Sequence, residues 1–273
     1  MHNTVTLPEG CILSVENLSM HFGGLKAVDD LSFAVKEREI FGLIGPNGAG
    51  KTTVFNCITQ FYRPKEGRIL FNAGRKGESL RPMNLVGLPV HRIIRLGMVR
   101  TFQNVEVIKE LSLIDNVLIG AHIKFKATVL EQALKLPRAR REEKAISEKA
   151  VEALDFLGIA DRKDLLAGGQ PYGVLKKVEL ARTLMSEPRL IIMDEPAAGL
   201  NDSETDALAQ SIRKIRDTFG CAVLLVEHDM RLVMDVCDRI CAISFGKFLA
   251  LGTAREIQTS KLVQEAYLGE EEE

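Results

Sequence analysis

A glycine-rich segment joins a predicted buried strand to a predicted helix, and its composition suits phosphate binding. The segment "GPNGAGKT" (45–52) follows the apolar run "IFGLI" (40–44) and fits the pattern G-x-x-x-x-G-K-[ST]. Its glycines let the backbone curl, so that successive N–H groups point at phosphate oxygens, and the positive end of the following helix favours the same anion. The predicted phosphate-binding residues are Gly45, Pro46, Asn47, Gly48, Ala49, Gly50, Lys51, Thr52 and Thr53.

Two polar side chains at the start of this helix suit a nucleoside triphosphate with magnesium. The ammonium group of Lys51 can reach the β- and γ-phosphates, and the hydroxyl of Thr52 can bind Mg²⁺. A plain glycine-rich turn with a solvated lysine would also produce this pattern. The strand before the segment and the helix after it favour the phosphate loop.

Two carboxylates follow a second predicted buried strand, in "LIIMDEP" (190–196). Ligands bind at the carboxyl ends of the strands in open α/β sheets, so this pair is expected beside the phosphate loop. Asp194 is the predicted Mg²⁺ ligand, directly or through water. Glu195 is the predicted general base for a water that attacks the γ-phosphate. The alternative is a polar strand end with two solvated acids.

Length, composition and charge exclude several classes of protein. The chain has 273 residues, of which 46% are hydrophobic, enough for one large domain or two small ones with a sizeable core. Its net charge of −1 gives no reason to expect a nucleic-acid partner, because such proteins usually carry a basic excess or stripe. Five cysteines stand singly in apolar segments, which indicates buried thiols rather than a disulfide framework.

The apolar runs are too short for a membrane span. The segment "CAVLLV" (221–226) falls far short of the ~20 residues that a spanning helix needs. The opening "MHNTVTLPEG" lacks the apolar stretch of a secretory signal. We therefore expect a soluble chain, and any membrane span would come from another chain.

Strands alternate with helices along the chain, which predicts an α/β fold with a mostly parallel sheet. Short strands are expected within 11–44 and a helical segment within about 105–186. The other predicted elements are helices at 51–60, 89–96 and 203–218 and strands at 67–72, 189–193 and 222–226. The helical segment carries a plausible buried stripe of Leu130, Leu134, Ile146, Ala150, Leu154 and Leu157.

Three further motifs narrow the choice among phosphate-loop proteins. "TFQN" (101–104), "PYG" (171–173) and "VEHD" (226–229) stand in this order around the acid pair. The ordered set resembles the nucleotide-binding subunit of ABC transporters over nearly the whole chain. "FGGLKAVDDLSF", "VRTFQN", "DEPAAGLN" and the terminal "AYLGE" most resemble the ATPase subunits of branched-chain amino acid importers, and cassettes for lipopolysaccharide export have a similar tail.

The resemblance implies a fold and a division of the chain. The expected fold is that of a P-loop NTPase (RecA-like), with a mostly parallel sheet core, N-terminal antiparallel β strands and an inserted α-helical subdomain. A single ABC ATPase domain would cover 1–273. Its nucleotide-binding core would be 1–103 and 186–273, and its helical signature subdomain 104–185.

The resemblance also implies roles for three residues outside the phosphate loop. Phe22 would stack on the adenine of ATP. Gln103 would contact Mg²⁺ and the γ-phosphate, and report their presence to membrane subunits. His228 would contact the γ-phosphate and help to orient Glu195. Considered without the family, a histidine after a buried strand is more often structural.

The family's signature loop, usually L-S-G-G-Q, holds the nucleotide from the neighbouring chain. The matching residues here depart from that pattern in four of five places; they are Gln170, Pro171, Tyr172, Gly173 and Val174. Gly173 still allows close backbone approach, and a helix that begins near Val174 still offers free N–H groups. Pro171 is compatible with a helix entrance, while the serine hydroxyl of the pattern is lost.

One further substitution bears on the pairing of two cassettes. Asn201 stands where many relatives carry an aspartate in the dimer-contact loop. Together with the altered signature, it suggests the hypothesis of a heterodimer with a second ATPase subunit, although a homodimer stays possible.

The implied activity is ATP hydrolysis with Mg²⁺ that powers import of branched-chain or other hydrophobic amino acids. The implied partners are integral-membrane permease subunits, a second ATPase subunit and, indirectly, an extracytoplasmic substrate-binding protein, with no nucleic acid. The chain would lie at the cytoplasmic face of the membrane. The alternatives are a lipid or lipopolysaccharide exporter, a soluble ABC ATPase of DNA repair or translation, and a P-loop kinase or simple nucleotide-binding module.

Overall fold

The computed structural model describes residues 6–74, 81–101, 105–124 and 136–268, which form two compact units. The first unit is drawn from Met1–Gln103 and Arg189–Glu273, and the second from Asn104–Pro188. The first unit contains the predicted phosphate loop, acid pair and histidine. The second contains the predicted signature segment.

The strands of the described residues all belong to the first unit and form two sheets. In chain order they are β1 (Cys11–Phe22), β2 (Leu25–Lys36), β3 (Ile40–Ile44), β4 (Glu66–Ala73), β5 (Arg81–Asn84), β6 (Met98–Arg100), β7 (Leu190–Asp194), β8 (Ala222–Val226), β9 (Arg239–Ser244) and β10 (Lys247–Gly252). One sheet has the order β2-β1-β4-β5 and the other the order β10-β9-β3-β8-β7-β6. The predicted α/β architecture, with antiparallel strands near the N-terminus, is confirmed.

The helices up to residue 219 fall close to the predicted segments, and three further helices after β8 were not predicted from the sequence. They are α1 (Lys51–Ile58), α2 (Val90–Arg95), α3 (Leu113–Leu118), α4 (Pro137–Phe156), α5 (Tyr172–Leu184), α6 (Asp202–Phe219), α7 (Met230–Val236), α8 (Ala254–Thr259) and α9 (Lys261–Leu268). Short 3₁₀ helices cover Ile119–Lys124 and Ala160–Arg162.

The antiparallel sheet is longer in its first two strands than the sequence suggested. β1 and β2 have 12 residues each, where short strands were expected. Several register shifts interrupt their pairing, for example between Val15 and Leu18. Such irregularities break the simple alternation of apolar and polar residues, and they are why the sequence pattern suggests several short strands.

The larger sheet is parallel except at one edge, where β9 and β10 run antiparallel. Its central strands β3, β7 and β8 are buried at every position except Asp194. Such continuous apolar runs are typical of parallel strands that are covered on both faces. Val226 pairs with Leu43 on one side and with Asp194 on the other, so these three strands end side by side.

Apolar packing holds α1 under the loop that precedes it. Val54, Phe55, Cys57 and Ile58 are fully buried in a cluster that includes residues of both sheets. A helix of 8 residues is not stable alone in water, so this packing fixes it. Burying one such large side chain stabilises the fold by about 1.5–3 kcal/mol. The start of α1 therefore has a fixed position relative to the two sheets.

The helical unit confirms part of the predicted buried stripe. Ile146, Ala150, Leu154 and Leu157 are at most 7% exposed. Leu130 and Leu134 lie outside the described residues. Two charged residues of α5, Lys176 and Glu179, are also buried, with Nζ and Oε2 3.6 Å apart.

The helix α5 begins at Tyr172, two residues before the predicted start near Val174. Pro171 occupies the N-cap with an extended backbone (φ −56°, ψ 147°). Its carbonyl accepts the N–H groups of Val174 and Leu175 at 3.0 and 3.2 Å. An N-cap residue has non-helical φ and ψ while its carbonyl already accepts the first helical bond, so proline is readily accommodated there.

Asn201 has a clear local role as the N-cap of α6. Its side chain accepts the N–H of Glu204 at 3.0 Å, and the Glu204 carboxylate accepts the N–H of Asn201 at 3.1 Å. This reciprocal capping box satisfies two N–H groups that the helix leaves open. Asparagine and aspartate cap helices about equally well, so the helix explains a short polar residue here.

The cysteines are free thiols, as the sequence predicted. Four of the five are buried, and Cys237 is half-buried. Burial raises the pKa of Cys57, Cys221 and Cys241 to about 12.

Among the described helices, none is both long enough and apolar enough to cross a membrane.

Candidate functional site

The loop between β3 and α1 is folded around the lysine that follows it. The side chain of Lys51 is buried, and its Nζ donates to the carbonyl oxygens of Gly45 and Pro46 at 2.6 and 2.9 Å. Gly48 and Gly50 have φ of 73° and 98°, the left-handed region that favours glycine. The positive charge therefore sits at the centre of the curled backbone.

Two of the loop glycines lie directly against other backbone segments. A Cβ at Gly45 would lie 2.2 Å from the carbonyl oxygen of Ile243, at the end of β9. A Cβ at Gly50 would lie 2.4 Å from the carbonyl oxygen of Ala27, in β2. Both distances are far below van der Waals contact. Glycine at these positions is therefore needed for the close packing of the loop against these strands.

A turn between β9 and β10 ties the loop to the antiparallel sheet. Gly246 donates its N–H to the carbonyl of Ala49 at 2.9 Å and accepts the N–H of Asp29 at 2.9 Å. Phe245, next to it, has φ of 47° and a side chain that is 87% exposed. The turn thus fixes the loop backbone from one side and presents an aromatic ring to its surroundings.

A cavity of about 420 Å³ opens over this loop. Nine predicted residues line it, namely Phe22, Asn47, Gly48, Ala49, Gly50, Lys51, Thr52, Thr53 and Glu195. The ring of Phe22 is half-exposed and meets Tyr62 edge to face, with centroids 5.3 Å apart. One cavity thus contains the backbone of the glycine-rich loop, a lysine, an aromatic ring and a carboxylate.

Four lining residues were not predicted from the sequence. They are Leu25, Lys26 and Ala27, at the start of β2, and Phe245. The first three follow the turn after Phe22, so the end of β1 was a signal that could have found them. No local pattern marks Phe245, because it is separated from the loop by most of the chain and reaches the cavity only through the pairing of β9 with β3.

Asp194, the last residue of β7, is an acid in an unfavourable position for its charge. Burial raises the pKa of Asp194 to about 6, and the negative charge of Glu195 acts in the same direction. The positive charges of Arg100 and Lys51 partly oppose this shift. A carboxylate with these neighbours gains from a nearby cation, so the chemistry of Asp194 fits a divalent metal ion.

The residues present do not make a metal site from protein ligands alone. Within the part of the chain that the structure describes, no group of three or more His, Cys, Asp or Glu side chains could hold a metal ion. Thr52 has an exposed side chain at the start of α1. This donor set fits Mg²⁺ bound by a hydroxyl, one carboxylate and phosphate oxygens, as in other phosphate-loop sites.

Arg100 is a fifth residue near the site that the sequence analysis missed. Its guanidinium lies over the rings of Phe55 and Phe61, 4.7 and 4.3 Å from their centroids. The two rings hold the charged group in place at the end of β6, next to β7. The pKa of Asp194 responds to this charge, so Arg100 contributes to the electrostatics of the acid pair.

The second acid and the predicted histidine lie together. Glu195 has φ of 45°, and its N–H donates to the carbonyl of Val226 at 2.8 Å. Its Oε1 is 3.6 Å from Nδ1 of His228, which follows the neighbouring strand β8. Glu195 faces the cavity, so its carboxylate can accept a proton from a molecule bound there.

The other predicted site residues lie elsewhere. Gln103 falls outside the described residues. Pro171, Tyr172 and Gly173 form the start of α5 in the helical unit. Tyr172 is partly exposed, and burial raises the pKa of its phenol.

We expect Gly50→Ala and Gly48→Ala to differ sharply in stability. Both positions have positive φ, which costs roughly 1 kcal/mol for alanine. Only Gly50 adds a collision with a backbone oxygen, since nothing lies within 4 Å of a Cβ at Gly48. Gly50→Ala should therefore lower the midpoint of thermal unfolding of the nucleotide-free protein by several degrees more than Gly48→Ala. Equal midpoints would contradict the close packing of the loop on β2.

The known proteins that resemble this chain point to the same activity as the cavity does, the binding of a nucleotide. A family model described as "ABC transporter" matches residues 28–198. The high-affinity branched-chain amino acid transport ATP-binding protein BraF of Pseudomonas aeruginosa is 44% identical over 95% of this chain and 98% of its own. The lipopolysaccharide export system ATP-binding protein LptB of Haemophilus influenzae is 32% identical over 95% of this chain and 98% of its own.

A solved structure extends the comparison to the fold. The ADP conformation of MJ1267, an ATP-binding cassette of an ABC transporter, superposes with a TM-score of 0.79 at 31% identity, over 95% of this chain and 99% of that one. The nucleotide-binding fold, the loop around Lys51 and the match over most of the chain lead to one conclusion. The chain belongs to the ABC transporter family and is one of its ATP-binding, ATP-hydrolysing cassettes.

Proposed function

We propose that this cassette hydrolyses ATP with Mg²⁺ to power import of branched-chain or other hydrophobic amino acids, bound at the cytoplasmic face of the membrane to permease subunits. The observation that carries the catalytic part is one cavity that contains both the loop around Lys51 and the carboxylate of Glu195. The substrate class rests on the similarity to a branched-chain amino acid transport subunit.

The cavity residues divide into contacts for three parts of the nucleotide. The backbone N–H groups of 45–52 and the ammonium of Lys51 would bind the phosphates. Phe22, aromatic and half-exposed at the end of β1, would stack on the adenine. Thr52, Asp194 and Gln103 would hold Mg²⁺, whose charge neutralises phosphate oxygens when it is bound.

The acid and the histidine would act on the attacking water. Glu195 faces the cavity at the end of β7 and would accept a proton from water as it attacks the γ-phosphate. His228, with Nδ1 3.6 Å from the Glu195 carboxylate, would orient that group and contact the γ-phosphate. The proton leaves the water for Glu195 as the new O–P bond forms and the bond to ADP breaks.

We expect Glu195→Gln to separate binding from hydrolysis. The amide keeps the shape of the side chain but cannot accept the proton, and a positioned base is worth about 10²–10⁴ in rate. The variant should bind ATP with Mg²⁺ as the wild type does and hydrolyse it at least about ten-fold more slowly. A Lys51→Ala control should lose binding itself. Wild-type hydrolysis by Glu195→Gln would remove this carboxylate from the mechanism.

ATP would also join two cassettes. Each nucleotide would lie between the phosphate loop of one chain and the start of α5 in the other, where Pro171, Tyr172 and Gly173 take the place of the usual signature. The helix start supplies free N–H groups and a positive dipole end. The missing serine hydroxyl removes one hydrogen bond to a charged group, worth about 1.5–3 kcal/mol. The nucleotide that faces Pro171 would therefore be held less tightly.

This asymmetry predicts a heterodimer with a second ATPase subunit of the same transporter. Mixing the two purified subunits with ATP should raise both hydrolysis and the dimer fraction above those of either subunit alone. Size-exclusion chromatography with a hydrolysis-deficient variant such as Glu195→Gln would measure the dimer. If mixing produces no gain in either quantity, the hypothesis of a heterodimer is wrong.

Uptake by whole cells tests the transport assignment. Cells whose own chain is replaced by Lys51→Ala should lose ATP-dependent uptake of radiolabelled leucine, isoleucine or valine, while wild-type complementation restores it. Equal amounts of the variant and the wild-type protein in immunoblots control for expression. Normal uptake together with a defect in lipopolysaccharide at the cell surface would favour the exporter alternative, to which the similarity with LptB points.

A further inference from the structure

The residue before His228 is a glutamate that is buried completely. Glu227 has no exposed surface, and it follows the last residue of β8. It lies outside the cavity lining, so it does not contact a molecule bound there. An ionised carboxylate is expensive to bury unless hydrogen bonds compensate it. Its burial raises the pKa of Glu227, which shows that some of this cost remains.

The two oxygens of Glu227 bind two different loops. Its Oε1 accepts the N–H of Ala197 at 2.9 Å, in the turn that follows Glu195. Its Oε2 accepts the N–H groups of His228 and Asp229 at 3.0 and 3.1 Å. One carboxylate therefore bridges the loop after β7 and the loop after β8.

The bridged loops carry the two groups assigned to the attacking water. The turn of the first loop is closed by the Ala198 N–H, which donates to the carbonyl of Glu195 at 3.1 Å. In the second loop, Nδ1 of His228 is 3.6 Å from the Glu195 carboxylate and 3.8 Å from that of Glu227. The spacing between Glu195 and His228 is thus held by the backbone bond from Glu195 to Val226 together with the bridge that Glu227 makes.

A second link between these segments is weaker. Arg231, at the start of α7, pairs with Asp202 and Asp206 of α6 at 3.0 and 2.9 Å. All three side chains are more than half exposed, and such pairs contribute little in water. The three hydrogen bonds of the buried Glu227 carboxylate are charge-assisted, so beyond the backbone bond from Glu195 to Val226 they are the stronger side-chain connection between the two loops.

We propose that Glu227 is a positioning residue for hydrolysis: its buried carboxylate sets the distance between Glu195 and His228 by holding their two loops together. The inference rests on the proposed roles of Glu195 and His228. It predicts an effect on the chemical step and none on nucleotide affinity. A misplacement of about 1 Å in a reacting group can lower a rate roughly 100-fold, so the expected effect is large.

Two substitutions break the bridge in different ways. Glu227→Gln keeps the length but replaces one acceptor oxygen with an N–H₂ group, which cannot accept from a backbone N–H. Glu227→Asp keeps the charge and can still accept from the adjacent N–H groups of His228 and Asp229, but it is one methylene too short to reach Ala197 as well. If both variants lower kcat to a similar extent, the effect comes from the lost bridge between the loops and not from the lost charge.

A buried glutamate far from the cavity provides the matched control. Glu39 is 6% exposed, accepts the N–H of Lys36 at 2.6 Å and pairs with Arg239. Glu39→Gln should lower the melting temperature through the same kind of loss, with kcat unchanged within about two-fold. This control separates a loss of protein stability from a loss of catalytic positioning.

The test is steady-state ATP hydrolysis by the full-length chain, measured in the cassette dimer that hydrolyses ATP. Glu227→Gln and Glu227→Asp should each lower kcat about 10- to 100-fold, with the KM for ATP and the affinity for a fluorescent ATP analogue within about two-fold of wild type. In a His228→Ala background, either change should lower kcat by less than about two-fold more, because residues that act as a unit are not additive.

The possible outcomes distinguish the role of Glu227 from the proposed role of Glu195 in hydrolysis. If Glu195→Gln slows hydrolysis while both Glu227 variants retain the wild-type kcat, the bridge has no catalytic role. If the Glu227 variants lose the same factor with and without His228, or if KM rises with the fall in kcat, their effect is a general structural one and the inference is wrong. If Glu195→Gln hydrolyses at the wild-type rate, the proposed role of Glu195, on which this inference rests, fails first.

Discussion

The parallel pairing of β3, β8 and β7 is the constraint on which the site depends. Val226 pairs with Leu43 and with Asp194, so the loops that follow these strands begin from neighbouring positions. The strands are buried almost completely apart from Asp194 at the end of β7, and a shift of β7 along its neighbours would draw that carboxylate into the apolar interior or push an apolar residue out at the sheet edge. The same apolar packing that stabilises the sheet therefore brings Lys51, Glu195 and His228 together.

Three charged side chains near this edge of the sheet differ in how well the protein compensates their charge. The ammonium of Lys51 is bound by two loop carbonyls, and the carboxylate of Glu227 by three backbone N–H groups. For Asp194, burial and the charge of Glu195 together raise the pKa, and the nearby cations offset only part of the shift. Asp194 thus has the most to gain from a bound cation, whereas Glu227 is already committed to the backbone.

The sequence predicted those elements whose residues are neighbours along the chain. The apolar runs 40–44 and 222–226 matched their strands at every residue, and the glycine pattern located the loop around Lys51. The stripe from Ile146 to Leu157 was recognised because helical period is a local property. The prediction failed at β1 and β2, where register shifts hide long strands, and it placed the start of α5 two residues late, although Pro171 stands at the helix entrance as expected.

Local patterns thus determined which side chains can bind phosphate, accept protons or cap helices, because these abilities follow from residue type and short spacing. Only the tertiary structure decided that Phe245 lines the cavity, that Arg100 contacts the rings of Phe55 and Phe61, and that one carboxylate at Glu227 joins two loops. Each of these contacts joins segments that are far apart in the sequence. Their geometry is set by strand order and by packing around a common core, which no single segment encodes.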